Sequence, residues 1–277
     1  MARPTKAAAA VAHNNDSHHH DHDFFIPAGS IWPPLSCLGA GSMMFSVVLM
    51  LHLKPLIYGQ TLFGCGLLLL LMSIFQWFFK LIAESRHRGF TRGAVPLVLD
   101  LANRYGMIFF IASEVMFFAA FFAAYFFLRA HNPVWPPAGI HLLPIYLPVI
   151  NTLLLLSSGV TVTLAHHALL HNRRSEATLY TFFTWQLGLI FLVCQLVEYH
   201  HAGYTISSGV YGSVFFMLTG FHGFHVLLGS LMLMFVHYRL ASNDFTRHNH
   251  FYFEAAAWYW HFVDVVWIGL FLFIYVL

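Results

Sequence analysis

The sequence predicts an all-α polytopic membrane protein with seven transmembrane helices, and three observations predict it. The 277 residues are 59% hydrophobic and only 9% charged, whereas an ordinary globular domain carries roughly 25% charged residues. A water-soluble fold of this size cannot bury so much apolar surface. Seven stretches each supply the roughly 20 mostly apolar residues that a helix needs to cross a bilayer. The basic residues, finally, divide very unevenly between the two sides that seven crossings create.

The spans run over 36–53, 61–82, 105–129, 147–168, 178–199, 211–236 and 255–277. Between them lie the Gly, Pro and polar runs expected of loops: "LKPLIYGQ", "ESRHRGFTRGAVP", "HNPVWPPAGIHLLP", "HNRRSE", "HHAGYTISSGVYG" and "HYRLASNDFTRHNH". Aromatic residues such as Trp32, Trp77, Trp135, Tyr146 and Tyr199 collect near span ends, as interfacial belts do. With alternating crossings, the N-terminal tail and the second, fourth and sixth loops share one side. That side, span ends included, carries Arg3, Lys6, Lys80, Arg86, Arg88, Arg92, Arg104, Arg173, Arg174, Arg239 and Arg247, against Lys54 and Arg129 on the other. Eleven against two places the N-terminus on the cytoplasmic or matrix side and the C-terminus outside.

The first 23 residues, ending in "HHHDHD", form an Ala-rich and then His/Asp-rich tail. Its six-residue apolar stretch is shorter than the roughly 7–15 residues of a secretory signal core. The histidines suit a weak metal site or a solvated, proton-exchanging tail. Cys37, Cys65 and Cys194 fall inside spans without C-x-x-C spacing and read as small apolar fillers. The sequence contains no G-K-[ST] phosphate loop, H-E-x-x-H or G-x-S-x-G, and its basic residues are scattered along loops. Nucleotide, protease and hydrolase chemistry and nucleic-acid partners are therefore not indicated.

Inside a bilayer an ionisable side chain must face protein or water, which makes each one a candidate functional residue. Glu114 stands alone in "GMIFFIASEVMFFAAFFAAYFF" with no basic residue within reach along its own helix. It suits a proton carrier or ion ligand, or equally a neutral acid hydrogen-bonded to another helix or a lipid. In the seventh span Glu254, His261 and Asp264 follow one another at intervals of seven and three, which aligns them on one helical face directed at other helices or a partner. His261 and Asp264 suit an i, i+3 hydrogen-bonded pair. In the sixth, His222 and His225 share a face beside Gly220, Gly223 and Gly229. They suit either interhelical hydrogen bonding or metal ligation, for which His166 and His167 of the fourth span offer matching ligands. Asn151, Ser157, Ser158, Thr161 and Thr163 complete the fourth span as interhelical polar contacts.

Five ordered motifs, "RYGMIFFIASEVMFF", "VWPPAGI", "SSGVTVTLAHHALL", "TGFHGFHV" and "FEAAAWYWHFVDVVW", resemble subunit III of the haem–copper cytochrome c oxidases, from "SIWPP" at Ser30 to the C-terminus. The resemblance implies helices one and two set apart from helices three to seven around a V-shaped, phospholipid-filled cleft. Units of 1–30 (inner-side tail), 31–95 and 96–277 follow from it. It further implies that the chain holds no haem, copper or catalytic residue. Haem a and copper belong to partner subunits, subunit I being the main contact, with subunit II and accessory subunits in the same complex. His166, His167, His222 and His225 become packing residues, as do Glu254, His261 and Asp264. Glu114 matches the family's third-helix glutamate and becomes a structural acid between helices. Arg239, with Trp77 and Glu84, is implied at lipid head groups, although "IAES" replaces the family's "RES" before Glu84 and "GFT" replaces "GHH" at Gly89–Thr91. His22, ahead of the first helix, is implied as a surface proton relay. The complex oxidises cytochrome c, reduces oxygen and pumps protons, in the mitochondrial inner membrane or the bacterial cytoplasmic membrane. The alternatives are subunit III of a quinol oxidase, which usually lacks the first two helices, an independent proton-coupled transporter, for which no internal repeat is present, and a haem-binding membrane cytochrome.

Overall fold

The computed structural model describes residues 29–52, 55–87, 97–137 and 143–277, with side-chain surroundings undescribed at 85–87. Seven helices long and apolar enough to cross a membrane follow in order among these residues: α1 (Trp32–His52), α2 (Ile57–His87), α3 (Leu97–His131), α4 (Tyr146–Leu170), α5 (Arg174–His201), α6 (Val210–Ala241) and α7 (Phe251–Leu270), the last continued by a π-helical turn over Phe271–Val276. All seven expected spans are present. Most helices outrun their spans, as α3 does by starting at Leu97 ahead of Asp100, Asn103 and Arg104 and α6 by ending at Ala241 beyond His237 and Arg239. The physical reason is that an apolar window registers only the hydrocarbon core, while the helix continues into the head-group layer. The tail to residue 28, with His22, and the 88–96 and 138–142 segments lie outside the described residues.

α1 and α2 form an antiparallel hairpin held by small residues. Ser36 and Ser73 share a 3.0 Å hydrogen bond, and a Cβ at Gly39 would stand 2.8 Å from the Leu70 backbone nitrogen. Such close approach is how helices associate where no water drives apolar contact. Helices α3 to α7 pack around α7, which touches α3, α4 and α6, while α5 lies between α4 and α6. Burial is graded accordingly: half of α7's apolar window is buried, against 11% for α1 and α2 and 6% for α3. The outer apolar faces therefore await lipid or partner chains.

The α7 core rests on two indoles that clasp α4. Trp260 donates its N–H to Ser158 Oγ (2.8 Å) and Trp267 donates to Thr152 Oγ1 (3.0 Å), so neither buried donor goes unmet. α4 and α6 terminate alike. Asn172 and Asn243 take left-handed backbone (φ 57° and 61°). Arg173 N–H returns to the Ala168 carbonyl (2.8 Å) and Asp244 N–H to the Arg239 carbonyl (3.0 Å), the six-to-one bond of a Schellman stop. Arg174 then ties the two stops together by donating to Asn243 Oδ1 and to the Phe245 carbonyl.

Candidate functional site: polar clusters within the bundle

The membrane-embedded polar residues gather into four groups. The first joins α3 to α6. Glu114 Oε2 lies 2.9 Å from His225 Nε2, while His225 Nδ1 sits 2.7 Å from the Phe221 carbonyl. A carbonyl only accepts, so Nδ1 carries its hydrogen, and one further proton lies between Nε2 and the carboxyl. Phe118 packs edge-on against the imidazole (4.9 Å between centroids) and Tyr259 stacks on it at 6.2 Å. The Glu114 side chain is 23% exposed and that of His225 9%, so the acid lies between helices at the margin of the bundle. The histidine partner was invisible along α3 because it is 111 residues away.

The second group occupies the end where α3 and α7 begin and α4 ends. Arg104 Nη2 meets Glu254 Oε2 at 2.6 Å and Arg104 Nε meets Asp100 Oδ2 at 2.8 Å. The other carboxylate oxygen, Glu254 Oε1, faces His250 Nε2 at 3.4 Å and His166 Nε2 at 3.7 Å. His166 thus joins Glu254 and not His222 or His225, contrary to its reading as their matching ligand. Among the described residues the convergent ligand-type group is His166, His250 and Glu254. His250, placed by the sequence in a loop, had not been singled out. Its signal is the i, i+4 spacing to Glu254 across the helix start.

His222 is fully buried against Phe191 and Trp267, and neither ring nitrogen has a hydrogen-bond partner. It fills space between these rings.

The third group is divided between the bundle interior and the outer surface of the chain. Asp264 is buried and its Oδ2 would stand 2.6 Å from a Cβ at Gly159. His261, however, is 47% exposed. Its Nδ1 is 3.8 Å from Asp264 Oδ2, too long for the expected hydrogen bond, and its Nε2 lies 3.2 Å from Thr163 Oγ1. The ring stays on the outer surface of the chain.

The fourth group was missed. Glu198, at the far end of α5, is 2% exposed beside Gln195 and Asn151, which bond to one another (Asn151 Nδ2 donating to Gln195 Oε1, 3.5 Å). Tyr275 and Gln195 approach Glu198, yet neither carboxyl oxygen has a hydrogen-bond partner. A glutamate one residue inside a predicted span was the available signal. An unmet buried polar group costs about 1–3 kcal/mol, so Glu198→Leu should retain the folded chain on heating at least as well as Glu198→Gln. A Leu variant weaker than Gln by about 2 kcal/mol would mean that the carboxyl does hold a partner. In the loop after α5, burial beside Tyr211 pushes the Tyr204 hydroxyl well above its ordinary value.

Of the residues implied at lipid head groups, Trp77 and Glu84 are half-buried seven residues apart on α2. Arg239 lies in the last turn of α6, 13% exposed, with Nε 3.6 Å from Asp244 Oδ2 and its guanidinium over the rings of Phe245 (4.3 Å) and Tyr252 (5.8 Å).

Comparison with known proteins agrees with this architecture. The family described as cytochrome c oxidase subunit III matches residues 22–277. Proteins named cytochrome c oxidase subunit 3 are similar over 92% of this chain: from Drosophila melanogaster at 42% identity across 97% of the relative, from the antelope Damaliscus lunatus at 43% across 97%, and from Marchantia polymorpha at 45% across 96%. With the match covering every described helix, the chain belongs to the cytochrome c oxidase subunit III family.

Proposed function

We propose that the chain works as the non-redox third subunit of a terminal respiratory oxidase, packed on subunit I in a complex that also contains subunit II and accessory chains. Haem a and copper are held by those partners, which perform cytochrome c oxidation, oxygen reduction and proton pumping. This chain stabilises subunit I, supports proton uptake on the inner side with His22 as a surface relay, and offers an apolar route to oxygen. Its N-terminus faces the matrix or cytoplasm, in accord with the basic-residue bias. Phospholipids fill a cleft between the α1–α2 hairpin (31–95) and the five-helix bundle (96–277), with Trp77, Glu84 and Arg239 at their head groups. Arginine suits phosphate through paired N–H donors.

The observation that carries the reading is the half-exposed His261 with Asp264 beneath it, partway along a membrane helix. An ionisable pair there cannot be left against lipid tails, so a protein surface covers it. Native isolation in mild detergent tests this. The chain should travel with haem a and two larger subunits, and be colourless once separated from them. A chain that runs alone and colourless would restore the transporter reading, and haem retained on the isolated chain would make ligands of its histidines.

A further inference from the structure

We propose that His166, His250 and Glu254 form a binding site for a divalent first-row metal ion, with zinc the best fit. The site lies in this chain's own residues, and its test uses the complex of the proposed function. Their three donor atoms lie within 4.8 Å of one another. Ligands about 2.0–2.1 Å from a tetrahedral zinc stand roughly 3.3–3.4 Å apart. The His250–Glu254 separation is already 3.4 Å, and the His166–Glu254 separation of 3.7 Å needs only a small contraction. Two imidazoles and a carboxylate are a common zinc donor set, with a fourth position left for water.

The surroundings orient the donors. His250 Nδ1 lies 3.1 Å from the Thr246 carbonyl. That contact fixes the hydrogen on Nδ1 and directs the Nε2 lone pair into the cluster, the arrangement that outer contacts impose on metal-binding histidines. The His166 ring is set by the edge of Phe253, 5.6 Å between centroids. Arg104 occupies Glu254 Oε2 and is itself held by Asp100, leaving Oε1 to face both rings. Neither His166 Nε2 nor His250 Nε2 has a hydrogen-bond partner, though both are buried. With its hydrogen on Nδ1, His250 Nε2 is an acceptor facing a carboxylate oxygen, a pairing that calls for a proton or a cation between them. Asp100 and Glu254 also outnumber Arg104 by one charge, which favours a cation. The donors sit on α4 and on the start of α7, so the ion would clasp these helices at the inner end of the bundle.

The rival occupant is a proton shared among the same three groups, and zinc stoichiometry separates the two. The intact complex would be stripped with a chelator, equilibrated with radioactive Zn²⁺, and its bound zinc counted per copy of this chain. Wild-type complex should hold one equivalent more than complexes carrying His250→Gln or His166→Gln, with subunit composition unchanged. Equal stoichiometry in all three would overturn the site. Should both variants fail to assemble, anomalous scattering at the zinc edge from wild-type crystals decides. A peak between the three donor atoms supports the proposal, and its absence after zinc loading refutes it.

Discussion

Replacing Glu114 with leucine should loosen the chain's five-helix bundle by about 2 kcal/mol, whereas glutamine should cost less than about 1 kcal/mol. The leucine removes the bridge between α3 and the imidazole of α6, the 2.9 Å contact to His225 Nε2. Interhelical hydrogen bonds in bilayers are worth roughly 0.6–1.7 kcal/mol, and an unmet buried acceptor adds a penalty of about 1–3 kcal/mol. Because Nδ1 is already committed to the Phe221 carbonyl, the ring cannot present a hydrogen elsewhere without breaking that contact. Glutamine keeps a donor for Nε2 at similar volume. The check is the temperature at which half of this chain leaves the purified complex, measured for wild type, Glu114→Gln and Glu114→Leu. A reversed order would show that the carboxyl is not bridging the helices. Selective loss of proton pumping in Glu114→Gln, with assembly and lipid content normal, would replace the structural role with a chemical one.

The largest expected effect lies where α5, α6 and α7 converge. Trp260 is fully buried, and it is seated on two glycines. A Cβ at Gly188 would stand 2.5 Å from the ring's Cη2 and 2.6 Å from Ser230 Oγ, and one at Gly229 would stand 2.7 Å from Cε3. Gly188→Ala therefore forces α5 away from α7, and Gly188→Val should prevent stable incorporation of the chain. Trp260→Ala should cost about 3–5 kcal/mol through the cavity left behind, and it also strips Ser158 of its indole donor. Gly220 supplies the control, since open space surrounds its Cβ position. Gly220→Ala should be neutral or stabilising by about 0.5–1 kcal/mol, the usual gain of alanine over glycine inside a helix. Opposite signs at two glycines in the same bundle would locate the effect in packing. Equal losses at both would refute the seating of Trp260.

The sequence determined what the bilayer dictates to any chain. Seven apolar runs had to become helices because unpaired backbone cannot be left in hydrocarbon, and all seven are present. Charge bias set the orientation we adopt, and five motifs sufficed to indicate a family that the comparison then showed. Which polar groups meet was beyond one-dimensional reasoning. Spacing along a helix placed His222 beside His225, yet one fills the core and the other reaches Glu114. Spacing also put Glu254, His261 and Asp264 on one stripe, whose three members face different surroundings. Glu254 turns to Arg104 and two histidines, Asp264 is buried against Gly159, and His261 remains on the outer surface. Periodicity specifies the face of a helix on which a side chain stands. Only the crossing of helices distant in sequence decides what stands opposite, and in a bilayer that opposing group determines whether a buried charge is tolerable.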